Sequence, residues 1–188
     1  MVNVIKAKYD NAMIVGARPN FVKVAPLLNY FEKKNHNVLF IHTGQHWDKT
    51  MSEDIFKDIG LREPDINLNV KNESMNKQLG NIISQLDNLI DKSTVKNLFV
   101  FGDVTSTLAG AIAAKNNSID CFHVEAGLRS NNIAMPEERN RIMVDSICDI
   151  LFTPSEDAVN NLLNENISKD KISNVGNIMI DTLVSNHQ

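Results

Sequence analysis

The sequence predicts an α/β fold built on a doubly wound parallel sheet. Two observations carry that expectation. Short runs that are apolar throughout alternate with longer stretches of helical spacing, and strands without polar alternation belong to a parallel sheet covered on both faces. The length of 188 residues lets one domain bury about 70% of its unfolded surface without a metal or disulfide staple.

The elements follow in order. Residues 12–15 form a first apolar run closed by Gly16, and Pro19 opens a helix over 21–34 with Val24, Leu27, Leu28 and Phe31 on one face. Residues 38–41 are a second strand, and 48–59 have helical spacing in Met51, Ile55 and Ile59. Ile66, Leu68 and Val70 alternate as a third strand, and a long amphipathic helix carries Leu79, Ile82, Ile83, Leu86, Leu89 and Ile90. Residues 98–101 are a buried strand, followed by a small-residue helix over 106–115 and a strand over 119–124. Pro136 starts a helix to Cys148, 150–152 are a strand, Ser155 caps a helix to Asn164, and 172–175 are the last strand, ended by Gly176. Seven such strands give a Rossmann-like sheet with right-handed crossovers.

Composition removes several function classes. With 43% hydrophobic and 22% charged residues and a net charge of −4, the chain has neither a basic stripe for nucleic acid nor an apolar run of membrane-spanning length. The polar N-terminus has no secretory pattern. Cys121 and Cys148 lack metal or redox spacing and read as reduced core residues of a cytoplasmic protein.

Open parallel sheets bind ligands beyond the C-terminal ends of their strands. The turns expected there are Gly16 to Asn20, His42 to His46, Gly102 to Thr107 and Glu125 to Arg129. Each pairs glycine with charged or hydrogen-bonding residues. The first lacks a dinucleotide fingerprint, but Arg18 before a helix N-terminus, with Lys23 five residues on, can bind phosphate; a surface pair flanking a turn is the bland alternative. Asp103 is either a helix cap, the commoner use, or a catalytic carboxylate. His123 and Glu125 alternate on a strand end and can point the same way, with a satisfied buried polar residue as the alternative. His-x-Glu without a Cys-x-x-Cys partner does not make a zinc site, so no metal is expected. Glu137 and Arg141 form an i,i+4 pair on the helix from Pro136, which structure alone would explain. Trp47, beside His46, either packs its loop or lines the pocket.

The motifs GARPNFVKVAPL, HTGQHWD, GDVTSTLAG, HVEAGLRS, MPEERNRI and VGNIMIDTL, in this order between Met13 and Leu183, resemble the non-hydrolysing UDP-N-acetylglucosamine 2-epimerases. The resemblance implies one half of a GT-B fold, with the active site in the cleft between two Rossmann-like halves. It implies that 1–175 form the N-terminal half and that 176–188 begin the crossover to a C-terminal half. It implies interconversion of UDP-N-acetylglucosamine and UDP-N-acetylmannosamine by elimination and re-addition of UDP, with no external cofactor, in the cytoplasm and in polysaccharide biosynthesis. Carried over by motif, Arg18, Lys23, Asp103 and Glu125 bind substrate. Asp103, Glu125 and Glu137 are the acid/base carboxylates, joined in the catalytic set by Lys23 and by Arg141, which supports Glu137.

The sequence also departs from the family pattern. Asn20 stands where many members carry Glu, 70–74 read VKNES rather than a Gly/Ser-rich loop, and 130–135 read SNNIAM without the usual charges. Asp48 replaces a longer polar residue associated with an allosteric site. Family members are much longer, and their second half carries uracil and ribose contacts and a further histidine. The expected partners are therefore a UDP-sugar, a C-terminal half or complementary chain, and a second copy in a homodimer, but no nucleic acid or membrane. Little epimerase activity is expected of this chain alone. An exposed face is expected around Ala17, Gln45, Asp103 and Arg129. The competing reading is a catalytically inactive sugar-nucleotide-binding remnant or subunit, or a fragment with no independent role.

Overall fold

Alternation along the central strand decides how the sheet is covered. In the computed structural model, which describes residues 9–44, 56–71, 73–90 and 95–185, β1 (Asn11–Val15) sends Ala12 and Ile14 into one core and Met13 and Val15 into the other. The same division runs through β2 (Val38–His42) and β4 (Asn97–Phe101). The remaining strands are β3 (Ile66–Asn67), β5 (Asp120–Val124), β6 (Ile150–Thr153) and β7 (Ile172–Asn174). All pair in parallel in the order β3-β2-β1-β4-β5-β6-β7. The strand order reverses at β1, so the crevice between the ends of β1 and β4 is the natural ligand position.

Four helices cover the first face: α2 (Met75–Leu89), α3 (Thr105–Asn116), α4 (Pro136–Ile147) and α5 (Glu156–Asn164). The central α3 is close to the strands because its residues are small. A Cβ at Gly110 would lie 2.8 Å from Ile14 and 2.9 Å from Val100. The second face is covered by α1 (Arg18–Lys33), through Phe21, Val24, Ala25 and Leu28. Helix α6 (Ile178–Ser185) packs on α1, with Thr182 Oγ1 donating to the Val22 carbonyl at 2.5 Å. Each large apolar side chain removed from water this way contributes roughly 1.5–3 kcal/mol. Beyond α1, Phe99, Phe122 and Phe152 stack across β4, β5 and β6 with centroids 4.8 and 6.3 Å apart. They line a cavity of about 350 Å³ that Leu27 and Ile178 also border.

The expected elements are present with two differences. The third strand is only Ile66–Asn67, because Asn69 adopts φ +51° and Asn67 Oδ1 accepts its N–H at 2.9 Å, bending the chain after two residues. The helix expected over 48–59 lies largely outside the described residues, of which 56–58 are helical; Gln45, His46, Trp47 and Asp48 also lie outside them. Ser155 caps α5, its hydroxyl accepting from Ala158 N–H at 3.3 Å. Among the described residues no helix is long and apolar enough to cross a membrane.

Candidate functional site

Asn20 organises the first turn. It is 2% exposed, and its Oδ1 accepts the N–H groups of Ala17 at 3.3 Å and Gly16 at 3.5 Å. Its Nδ2 donates to the Phe101 carbonyl at 2.9 Å, tying the start of α1 to the end of β4. A carboxylate could not make that last bond, which gives a physical reason for an amide at this position. Gly16 must be glycine here, since a Cβ would fall 1.5 Å from Ser106 Oγ. Arg18 is half-buried at the first residue of α1.

One turn further along α1, Lys23 is 8% exposed and its ammonium pairs with the Glu125 carboxylate. Glu125 reaches it because its backbone is at φ +73°, which turns the chain out of the β5 alternation. His123 and Glu125 therefore do not point the same way, contrary to the alternation expected from sequence. His123 meets Asp145 of α4, and Glu125 meets Lys23 of α1. Gly102, at φ +66°, lies beneath the ion pair; a Cβ there would be 3.0 Å from Lys23 Nζ and 3.4 Å from Glu125 Oε2.

Asp103 is not a helix cap. The N-cap of α3 is Val104, and Asp103 Oδ2 instead accepts from Arg141 Nη2 at 2.5 Å, with the aspartate side chain 24% exposed. Arg141 also donates to Glu138 Oε2 at 2.8 Å. The pair expected between Glu137 and Arg141 is thus replaced by an i,i+3 pair with Glu138, while Glu137 is exposed beside Asp103, Thr105 and Asn140 in a second cavity. Glu138 is 2% exposed and accepts the N–H groups of Ser130 and Asn131, both in the SNNIAM loop. Burial alone would raise its pKa, but the Ser130 N–H, Arg141 and the Asn131 N–H outweigh it and hold the carboxyl at about 2.

Below these groups lies a buried layer that the motif reading missed. His123 contacts Asp145 Oδ1 through Nδ1 at 2.6 Å and the Gly102 carbonyl through Nε2 at 2.7 Å. Asp145 Oδ2 also accepts from Gly127 N–H at 3.1 Å and from Arg129 Nη1 at 2.8 Å. Burial would raise Asp145, but His123 and Arg129 outweigh it and keep its carboxyl below the usual range. Arg129, expected on the exposed face, has its side chain only 4% exposed and also pairs with Glu165 at 2.6 Å. Ala17 and Asp103 do remain partly exposed, and Gln45 lies outside the described residues. Asn140 Nδ2 holds the Asp103 carbonyl at 2.8 Å. The missed signal was helical phase: Glu138, Arg141, Asp145 and Cys148 recur at three- and four-residue steps, so polar residues occupy the face of α4 turned to the sheet. His42 is also buried. Its Nδ1 accepts from Gly44 N–H at 2.8 Å, and burial pushes its pKa down to about 4, so it is neutral at physiological pH.

Two cation–carboxylate pairs thus stand at the switch point of a doubly wound sheet, beside a helix N-terminus, which is the layout of a site for an anionic small molecule. The chain belongs to the UDP-N-acetylglucosamine 2-epimerase family, whose model matches residues 29–188. It is 40% identical over 172 residues to the UDP-2,3-diacetamido-2,3-dideoxy-D-glucuronate 2-epimerase of Pseudomonas aeruginosa, covering 90% of this chain and 49% of that protein. It is 38% identical to the UDP-N-acetylglucosamine 2-epimerase of Methanococcus maripaludis, covering 95% of this chain and 48% of the relative. The crystal structure of the Methanocaldococcus jannaschii enzyme with UDP-GlcNAc and UDP superimposes with a TM-score of 0.89 at 38% identity, over 93% of this chain and 48% of that one. The chain spans about half the length of the relatives it matches, and its sheet is one doubly wound half of their GT-B fold. Acinetobacter baumannii MurG, at 13% identity and a TM-score of 0.53, shares the fold alone.

Proposed function

We propose that this chain is the N-terminal catalytic half of a UDP-N-acetylglucosamine 2-epimerase, residues 1–175 forming the lobe and 176–188 leading toward a second lobe. The observation that carries the reading is the convergence of Asp103–Arg141 and Lys23–Glu125 on either side of Gly102 at the switch point, in a chain of that family. Arg18 at the start of α1 and Lys23 in its second turn supply positive charge for the diphosphate, together with the positive end of the helix dipole.

In this reading a carboxylate removes the proton at carbon 2 of the sugar, the C1–O bond breaks, and UDP departs with the bonding pair. The product is 2-acetamidoglucal. Protonation of carbon 2 from the opposite face and return of UDP oxygen to carbon 1 give the epimer, so atoms and charge balance without a cofactor. Asp103, Glu125 and Glu137 are the candidate proton carriers, and the cations offset the charge that develops on UDP. Arg141 holds Asp103 directly and reaches the neighbourhood of Glu137 through Glu138. The second lobe would close the crevice and bind the nucleoside, in one chain or as a complementary one. The same reading implies a cytoplasmic enzyme supplying sugars for polysaccharide synthesis, with a homodimer as its expected assembly. The likeness to the Pseudomonas aeruginosa protein favours one second substrate, a diacetamido uronic-acid UDP-sugar inverted at the same carbon.

The experiment combines this chain with the separately produced C-terminal half of the Methanococcus maripaludis relative and supplies UDP-N-acetylglucosamine in D2O. UDP-N-acetylmannosamine bearing deuterium at carbon 2 is the expected product, with little turnover by this chain alone. Product without deuterium would contradict the elimination route. No product with that substrate or with the diacetamido uronate would contradict the epimerase reading.

A further inference from the structure

The buried layer beneath the crevice contains a histidine whose hydrogen-bond geometry fixes its protonation. We infer that His123 is held as a doubly protonated imidazolium, and that this buried cation positions the turn from which Asp103 projects. The side chain is fully buried, with one ring nitrogen 2.7 Å from the Gly102 carbonyl and the other 2.6 Å from Asp145 Oδ1. A carbonyl oxygen only accepts, so Nε2 must carry a proton. Asp145 Oδ2 accepts from Gly127 N–H and from the Arg129 guanidinium, whose charge beside this buried carboxyl favours the ionised form, so Oδ1 faces His123 as an acceptor and Nδ1 carries a proton as well. With Asp145 ionised, either neutral tautomer would set a nitrogen lone pair against an oxygen lone pair at hydrogen-bond distance.

Charge balance makes the buried cation tenable. His123 and Arg129 supply two positive charges, and Asp145 and Glu165 supply two negative ones, joined in one hydrogen-bonded row. Near this region, among the described residues, are also the Lys23–Glu125 pair above Gly102, the Asp103–Arg141 pair on the following residue with Glu138 sharing its arginine, and the buried Cys148 thiol, which its hydrogen bond to Cys121, burial and the charge of Asp145 keep protonated. No further carboxylic proton is needed to satisfy the geometry.

The consequence lies in the turn. Gly102 N–H donates to the Val124 carbonyl at 3.0 Å, its own carbonyl is held by His123, and the next carbonyl, of Asp103, is held by Asn140 at 2.8 Å. Three bonds fix a glycine at φ +66° and with it the carboxylate of Asp103. His123 is a positioning residue: it touches the turn rather than the crevice. Only the final link, that Asp103 so placed meets a sugar, rests on the epimerase reading.

The test is nitrogen NMR of the full chain with ring-labelled histidine, the five histidines being assigned through their backbone correlations. At about pH 8, where an ordinary histidine is neutral, His123 should show two proton-bearing ring nitrogens. Asp145→Asn should give it one bare, pyridine-like nitrogen, a change that a purely space-filling role would not produce. His123→Gln should accelerate amide exchange at Gly102 and Asp103 about tenfold, the scale of one charge-assisted bond. A bare nitrogen on His123 in the unaltered chain at that pH overturns the inference, whatever the variants do. Unchanged exchange at the turn in a folded His123→Gln overturns the positioning role. None of these readouts uses UDP or turnover, so failure of the epimerase reading would leave them intact and be recognised separately.

Discussion

The rim of the crevice and the floor beneath it use the same kinds of residue to opposite ends. At the rim, Asp103 is 24% and Glu125 13% exposed, each with one cation. On the floor, Asp145 and His123 are fully buried, and Asp145 has three donors around one carboxylate. A carboxylate that must exchange protons with a substrate needs open lone pairs; one that holds a backbone in place needs all of them filled. The difference teaches that family motifs and structural support are interleaved along the same segments, with Glu137 and Glu138 as adjacent examples on one helix.

Substitutions should separate the two layers. The largest effect is expected on the floor. Asp145→Ala leaves the buried His123 without its carboxylate and Arg129 with Glu165 alone, and should cost about 3–5 kcal/mol in urea unfolding. A cost below that of an exposed pair would break the distinction. Acid should act next. Glu138, held at about 2 when folded, stabilises the chain above its ordinary range and loses that contribution as pH falls toward 2. His42, lowered to about 4, destabilises the folded chain as soon as pH drops below its ordinary value, because the unfolded state takes up the proton first. Both slopes have the same sign, each worth roughly 3 kcal/mol at most. Thermal melts should therefore fall from about pH 6.5 downward; stability that rises as the pH drops through that range would contradict both assignments.

Gly127→Ala comes third. With φ +81° and a new Cβ 2.4 Å from the Ala158 carbonyl oxygen, it should cost about 2 kcal/mol. The smallest stability effect belongs to the rim. Asp103→Asn should change unfolding by less than about 1 kcal/mol, since Arg141 keeps Glu138. Yet in the reconstituted two-half enzyme it should lower turnover by about 10²–10⁴-fold. The split between stability and activity is what sharpens the comparison.

The sheet was legible because its strands carry unbroken apolar runs and its helices carry phase, both properties of local sequence. The shortened third strand was not, because it depends on a left-handed Asn69. At the rim, glycine-and-charge turns after each strand pointed to Arg18, Lys23, Asp103 and Glu125. The partner of Arg141 was misassigned because i,i+3 and i,i+4 neighbours are equally near on a helix, and burial, not spacing, chose Glu138. The floor stayed hidden for a different reason. Arg129 and Asp145 are sixteen residues apart in sequence and meet only after β5 and α4 pack.

The central claim is that the rim is a sugar-nucleotide surface, and amide NMR of this chain titrated with UDP tests it most directly. The account predicts saturable shifts concentrated at Arg18, Lys23, Gly102, Asp103 and Glu125, weakened by an Arg18→Ala substitution. Shifts that cluster elsewhere, or none at concentrations far above those that saturate the full-length Methanococcus maripaludis relative in parallel, would contradict it.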